Sequence, residues 1–319
     1  MALHPDSHRI LQSLREQNFP PLESVGIPRL RVLMGQLRQA QGEPEPVARV
    51  IETQVPGEAG MLPVRVYQPE PRPGPRPLLV FFHGGGWVAG GIELVDLPLR
   101  RLANATGAVV ASVGYRLAPE TQFPGPLHDA YAAVCALADR AAELGADPHA
   151  LIVAGESAGG NLAAAVCRMA AADDDSPEIS LHILICPPLA PARHSPYASY
   201  RENADGYLNT RAAMEYFWDQ YLPDPLTAAN PLAAPLLASE FSGLPPVLVL
   251  TAGNDPLRDE GEAYARCLRG AGVPSTVRRM EGALHVFFLL PHLTAFETAL
   301  HDIERAVAAS SPLPEGSSA

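Results

Sequence analysis

The sequence predicts an α/β protein built on a mostly parallel, eight-stranded sheet with helices on both faces. Apolar, β-branched segments of strand length alternate with longer helical segments along most of the 319 residues. Such alternation is typical of parallel strands joined by crossover helices. The hydrophobic share of 47% suffices for one large core. The predicted strands lie near 47–54, 61–68, 77–83, 108–115, 150–156, 180–187, 246–252 and 275–281.

Helical patterns occupy most of the intervals between these strands. Before the first strand, apolar residues spaced i, i+3, i+4, i+7 predict one amphipathic helix, with a shorter helix ahead of it. These two faces are Leu30, Leu33, Met34 and Leu37, and Ile10, Leu11 and Leu14. The later helices are predicted near 95–105, 125–144, 160–172, 257–271 and 289–308.

Almost sixty residues between the strands near 187 and 246 do not fit the alternation, and a segment of this length favours an inserted cap. We therefore predict one α/β core with added parts. The division is N-terminal helices at 1–45 that contribute to the cap, a core at 46–188 and 246–309, a cap insertion at 189–245 and a flexible tail at 310–319.

Residues 151–160 predict a serine nucleophile. The apolar run at 151–154 leads into Gly155, Glu156, Ser157, Ala158 and Gly159, and a helical stretch follows at once. In so tight a turn between strand and helix, side chains at 155 and 159 would clash, and the serine hydroxyl is held in the open. The alternative is a serine in an ordinary strand-to-helix loop.

A glycine-rich loop after another predicted strand supplies candidate oxyanion donors. The strand at 77–82 is followed by His83, Gly84, Gly85 and Gly86, whose backbone N–H groups can face a substrate without side-chain obstruction. We expect N–H groups of this loop to form an oxyanion hole that the N–H of Ala158 completes, with His83 and Gly84 supporting the loop. A phosphate cradle is the alternative, but neither Gly-Lys-Ser/Thr nor dinucleotide spacing is present.

The candidate acid and base follow in chain order. Asp255 and His285 each come just after a predicted strand, as Ser157 does, and the carboxyl ends of parallel strands meet at one edge of a sheet. Asp255 could instead cap a helix with Pro256 at the first helical position. His285 could be a loop histidine without a role. Asp259 lies one helical turn further on and is worse placed as the acid.

Taken together, these segments make the chain resemble the hormone-sensitive-lipase-like esterases (bacterial family IV) of the α/β-hydrolase superfamily, over nearly its whole length. The resemblance implies Ser157 as nucleophile, His285 as base and Asp255 as its orienting acid. It also implies that the oxyanion N–H groups belong to Gly85, Gly86 and Ala158. One departure is Glu156, where the family usually has aspartate. The segments that carry the resemblance are residues 83–87 (HGGGW), 115–120 (YRLAPE), 155–160 (GESAGG), 255–260 (DPLRDE) and 282–287 (GALHVF).

Composition excludes several other classes of protein. The net charge of −12 disfavours nucleic acid or an anionic membrane as a partner. The chain has no lysine, which excludes a Ser-Lys dyad, a Schiff-base enzyme and a P-loop. The four cysteines show no zinc-ligand spacing and are interpreted as small buried apolar residues. The first residues contain no apolar signal core, and we expect a cytoplasmic protein.

An apolar helical face within the cap segment bears on substrate binding. Met214, Phe217 and Trp218, together with Trp87 beside the glycine loop, are the candidate pocket residues. Packing inside the cap is the first alternative for this face, and contact with a lipid surface is the second. The resemblance implies that the insertion and the N-terminal helices together cover the site.

These observations predict a serine carboxylesterase that needs no cofactor or metal, and the resemblance implies that it acts on short-to-medium acyl esters. The alternatives are a deacetylase or amidase with the same triad, and a non-catalytic small-molecule receptor of the same fold. Such receptors lack the catalytic histidine, whereas His285 is present here. The expected partner is a small-molecule ester, with no nucleic acid and no stable membrane association. The resemblance leaves a homodimer paired through an edge strand as one possible oligomeric state.

Overall fold

The computed structural model describes residues 2–310 apart from 73, 75 and 194. Within this part of the chain the sheet has eight strands in the order β1-β2-β4-β3-β5-β6-β7-β8. The pairs β1–β2 and β2–β4 are antiparallel and the other pairs are parallel, which confirms the predicted fold class. The strands are β1 Arg49–Gly57, β2 Gly60–Gln68, β3 Pro77–Phe82, β4 Val109–Val113, β5 Asp147–Glu156, β6 Ile179–Ile185, β7 Val247–Asn254 and β8 Ser275–Leu284.

Helices lie at every position where the sequence predicts one. The first, predicted to be the shorter of the N-terminal pair, has 12 residues against 11 for the second. The last begins later than predicted, because residues 285–289 form a 3-10 turn and Pro291 disfavours helical backbone at the residue before it. The α-helices are α1 Pro5–Glu16, α2 Ile27–Leu37, α3 Asp96–Thr106, α4 Gly125–Asp139, α5 Ala158–Ala170, α6 Ser199–Glu202, α7 Arg211–Tyr221, α8 Arg258–Gly270 and α9 Thr294–Ser310.

Two apolar layers sandwich the sheet. Residues of α4, α5 and α8 pack with one set of sheet side chains, and residues of α3 and α9 pack with the other set. The central strands β3 and β7 are buried along their whole length, as expected for parallel strands covered on both faces. The sheet therefore holds the residues that directly follow its strands in fixed positions.

The described residues between β6 and β7, which leave out 194, contain α6, α7 and two 3-10 turns but no sheet strand. Buried aromatic side chains of α7 pack this segment against the core. The boundaries predicted for the cap and the core remain predictions. Of the tail predicted at 310–319, Ser310 ends α9, and the rest lies outside the described residues.

Candidate active site

The turn between β5 and α5 has the tight geometry that the sequence predicts. Ser157 lies between the two elements with φ 52° and ψ −122°, a conformation that is strained for a residue with a side chain. A Cβ added at Gly155 would lie 2.1 Å from the carbonyl oxygen of Gly159. A Cβ added at Gly159 would lie 2.0 Å from that of Phe82. Both positions therefore need glycine.

Three side chains from different strand ends form a continuous hydrogen-bonded chain. Ser157 follows β5, Asp255 follows β7 and His285 follows β8. The distance from His285 Nε2 to Ser157 Oγ is 2.9 Å, and that from His285 Nδ1 to Asp255 Oδ2 is 2.7 Å. Since a carboxylate only accepts hydrogen bonds, Nδ1 carries the proton and Nε2 is left to accept the serine hydroxyl.

Asp259, the weaker candidate for the acid, lies elsewhere. Its Oδ2 accepts a hydrogen bond from the Ser199 N–H at 2.8 Å, and its Oδ1 pairs with Arg258 Nε at 2.8 Å. Asp255 also accepts a bond from the Leu257 N–H at 3.2 Å, just before α8 begins. The helix-start alternative for Asp255 thus coexists with its bond to the histidine.

The electrostatics at His285 favour its charged form. Burial alone would lower the pKa of the imidazole, but the Asp255 carboxylate outweighs it by charge and hydrogen bonding, with a smaller contribution from Glu156. The net effect is a raised pKa of His285. A base with a raised pKa is well matched to accepting and returning a proton near neutral pH.

Glu156, which replaces the family's usual aspartate, is a second carboxyl beside the histidine. Its Oε1 lies 3.8 Å from His285 Nε2, and the side chain is buried. Burial, assisted by the nearby charge of Asp255 and opposed by His285, raises the pKa of Glu156 to about 7. This carboxyl therefore changes its charge near neutral pH.

The glycine loop after β3 lies beside Ser157. Gly85 and Gly86 have φ values of +116° and +62°, and both line the same cavity as the serine. The carbonyl of Gly85 accepts bonds from the N–H groups of Val88 and Ala89, which hold the loop as a tight turn. A Cβ at Gly86 would lie 2.5 Å from the ring of Phe217, so the cap packs directly on this loop.

His83 has a structural environment. Its Nδ1 donates to the carbonyl of Gly84 at 2.8 Å, and its own carbonyl accepts from the Tyr115 hydroxyl at 2.8 Å. The two rings stack with centroids 4.4 Å apart. Burial lowers the pKa of His83 to about 4, so the ring stays neutral inside the loop.

A cavity of about 400 Å³ opens from Ser157 and His285. Its wall is mostly apolar, and its residues come from the two N-terminal helices, the cap and the segment after β8. The amphipathic face of α2 that the sequence singles out contributes all four of its residues. The apolar lining residues with side chains are Ile10, Leu14, Phe19, Leu22, Leu30, Leu33, Met34, Leu37, Ala40, Leu208, Met214, Phe217, Val286, Leu289 and Leu290.

The four candidate pocket residues divide into two pairs. Met214 and Phe217 line the cavity, whereas Trp87 and Trp218 are absent from its wall. The Trp87 ring instead stacks on Tyr221, with centroids 4.4 Å apart, and lies 4.7 Å from the ring of Trp218. Trp218 faces Trp87 and Tyr221 rather than this cavity, and the assignment of the two tryptophans to a substrate pocket remains a prediction.

Cys186 comes close to the triad without any signal in the sequence. Its sulfur and ligand atoms of Asp255 and His285 lie within 4.8 Å of one another, the one group of this kind in the described residues that could hold a metal ion. Burial raises the pKa of the Cys186 thiol well above its ordinary value. Cys167 is also buried, but Cys135 and Cys267 are only half-buried, so the expectation of four buried thiols was too general.

Comparison with known proteins identifies the class. A family described by the alpha/beta hydrolase fold matches residues 79–289. The carboxylic ester hydrolase LipN of Mycobacterium tuberculosis is 39% identical over 268 residues, 82% of this chain and 70% of that protein. An arylesterase of Saccharolobus solfataricus is 34% identical over 94% of this chain and 97% of its own. The chain therefore belongs to the α/β-hydrolase family.

Solved structures show which kind of α/β-hydrolase the chain resembles. A hyperthermophilic esterase from Pyrobaculum calidifontis superposes with a TM-score of 0.89 at 38% identity, over 98% of this chain and 100% of that one. Together with the curated relatives, this places the chain among the hormone-sensitive-lipase-like carboxylesterases, and it is a serine carboxylesterase. None of the helices in the described part of the chain is both long and apolar enough to cross a membrane.

Proposed function

We propose that Ser157, His285 and Asp255 are the nucleophile, base and orienting acid of this carboxylesterase, which hydrolyses short-to-medium acyl esters. The observation that supports this most directly is the chain of hydrogen bonds from Asp255 through His285 to Ser157. It ends at the mouth of a mostly apolar cavity, which is where an acyl group would be held.

The geometry supports a two-step acyl transfer. Ser157 Oγ attacks the ester carbonyl carbon while His285 Nε2 takes the hydroxyl proton. The negative charge on the carbonyl oxygen is stabilised by the N–H groups of Gly85, Gly86 and Ala158. The C–O bond then breaks, and His285 returns the proton to the departing alkoxide. Water repeats the attack on the acyl-enzyme and releases the carboxylic acid.

The cavity limits the length of the acyl chain. Each methylene that enters an apolar pocket contributes about 0.8 kcal/mol until the pocket is full. Beyond that length the chain must displace α2 or the cap, or remain in water. The resemblance to the hormone-sensitive-lipase-like esterases implies an optimum at about four to eight acyl carbons, and we expect poor hydrolysis of long-chain triglycerides.

The setting of the enzyme is also proposed. The four cysteines are unpaired, which fits a reducing cytoplasm. The net charge of −12 disfavours nucleic acid and stable binding to an anionic membrane. Strand β8 lies at an edge of the sheet and offers a pairing surface for a homodimer, which light scattering on the purified protein would test.

The role of Ser157 is tested by Ser157→Ala. The variant should fold normally and lose nearly all hydrolysis of p-nitrophenyl butyrate, leaving a residual rate of about 10³–10⁴-fold over water. A phosphonate probe should label the wild type at Ser157, located by peptide mass spectrometry. Unchanged turnover in the variant, or labelling of another residue, would refute the assignment. A series from acetyl to palmitoyl esters measures the acyl optimum.

A further inference from the structure

The carboxyl group of Asp255 has a hydrogen-bond donor from the cap. Its Oδ2 bonds His285, while its Oδ1 accepts from the Leu257 N–H and from Asn209 Nδ2 at 3.1 Å. Leu257 belongs to the acid's own loop, but Asn209 comes from the segment before α7. The Asn209 side chain is buried, with 5% of its surface exposed. A carboxylate cannot donate, so the amide nitrogen is the atom that faces it.

This bond is one of several between the two segments. Asn203 Nδ2 donates to the main-chain carbonyl of Asp255 at 3.0 Å, and Ser199 Oγ donates to that of Pro256 at 2.6 Å. Arg258 pairs with Glu202 at 2.8 Å. The cap segment 199–209 is thus bound along the acid loop 253–259, which fixes the position from which Asn209 reaches Asp255.

We propose that Asn209 is a positioning residue for the catalytic acid, so that the cap completes the triad as well as covering the substrate. This rests on the proposed role of Asp255. With one oxygen held by Asn209 and Leu257, the carboxylate plane cannot rotate, and the other oxygen stays directed at His285. Thr210 caps α7 immediately after Asn209, and that helix carries Met214 and Phe217 of the cavity wall.

Asn209→Leu tests the proposal, because leucine has a similar size and no donor. We expect kcat to fall about 10- to 100-fold, the range for losing a hydrogen bond to a charged group. Because Asn209 also lines the cavity, leucine can change KM directly, and the fall in kcat is the diagnostic quantity. Removing the donor leaves more negative charge facing His285, so the acidic limb of the kcat/KM profile should move to higher pH. Glu156, Cys186, Tyr200 and Glu260 are the other titratable groups near this pair and are unchanged in the variant.

Asn230→Leu is the matched control. Asn230 is an exposed cap residue whose side chain accepts only the Leu232 N–H in the described contacts. It should leave kcat and the pH profile within about 2-fold of the wild type. Thermal unfolding of each variant corrects the rates for the folded fraction. Asn209→Asp keeps the shape but sets an acceptor against an acceptor, and it should lose at least as much kcat as Asn209→Leu.

A double-mutant cycle with Asp255→Asn separates positioning from general structural damage. If Asn209 acts through the carboxylate, adding Asn209→Leu to Asp255→Asn should cost less than about 2-fold more. The proposal would be overturned if the double variant lost kcat by the full product of the two single losses. It would also be overturned if the acidic limb of the kcat/KM profile of Asn209→Leu stayed at the wild-type pH. Wild-type activity in Asp255→Asn alone would instead refute the acid assignment, and with it the proposed function.

Discussion

The edge of the sheet and the cap hold their side chains in different ways. Ser157, Asp255 and His285 directly follow β5, β7 and β8, so strand pairing alone brings their backbones together. In the cap, Asn209 and Phe217 are held by contacts with loops far away in the chain. The sheet therefore determines where the reacting side chains lie. The shape of the substrate cavity depends instead on how separate segments of the chain pack together.

The largest expected effect tests the sheet edge. Asp255→Asn keeps the size of the side chain but removes the anion that orients the imidazole, so kcat should fall about 10⁴-fold, as for the equivalent change in a serine protease. Asp259→Asn is the matched control, because Asp259 bonds Ser199 and Arg258 and not the histidine. Steady-state kinetics on p-nitrophenyl butyrate measure both. A greater loss from Asp259→Asn would mean that the acid is misassigned.

A second effect concerns the stability of that edge. The raised pKa of Glu156, about 7 in the folded state, means that the folded protein holds this proton more tightly than the unfolded chain does. Its contribution is therefore most favourable below pH 4.5 and is lost as pH rises through 7. Titration of Glu156 should make the unfolding free energy of the wild type about 2 to 3 kcal/mol lower at pH 8 than at pH 5. Glu156→Gln should abolish this part of the pH dependence.

Urea unfolding at pH 5 and pH 8 measures the change in unfolding free energy between the two pH values. This change does not depend on the absolute stability of the variant. Glu281→Gln, at an exposed position on β8, is the control and should leave the pH dependence as in the wild type. An identical pH dependence in Glu156→Gln would show that the buried carboxyl does not titrate in this range.

The smallest expected effect tests the cap side of the comparison. Met34→Trp should fill part of the cavity beneath α2 and shorten the preferred acyl chain. Losing space for one to two methylenes should reduce kcat/KM for the octanoyl ester about 4- to 15-fold, with the acetyl ester within about 2-fold. Val32→Trp, on the face of α2 where Val32 is 60% exposed, is the control. Equal losses on both esters would place Met34 outside the acyl space.

The sequence predicts the sheet edge well because the rule behind it is local. A residue that follows a buried parallel strand lies at the carboxyl edge whatever the rest of the chain does, and this places Ser157, Asp255 and His285. The same rule does not reach Asn209, whose partner is 46 residues away. Nor does it apply to Cys186, which follows β6 but has no pattern that marks it as chemically important.

The cap shows the limit of periodicity. The spacing of Met214, Phe217 and Trp218 predicts one apolar face of α7, and such a face exists. It does not tell which part of the face meets the core and which part meets the cavity, because that depends on the rotation of the helix against Trp87 and Gly86. The spacing of the α2 face likewise predicts an amphipathic helix without saying what that face contacts, and in the structure all four of its residues border the cavity.

The paired tryptophans have a spectroscopic consequence. Trp87 and Trp218 are the only two indoles in the sequence, and one belongs to the core while the other belongs to the cap. Indole emission responds to the polarity around the ring, and both rings are buried at the joint between these two parts. The intrinsic fluorescence of the protein therefore reports on the contact between core and cap. Stopped-flow measurement of the emission would detect movement of the cap away from the core without an added dye.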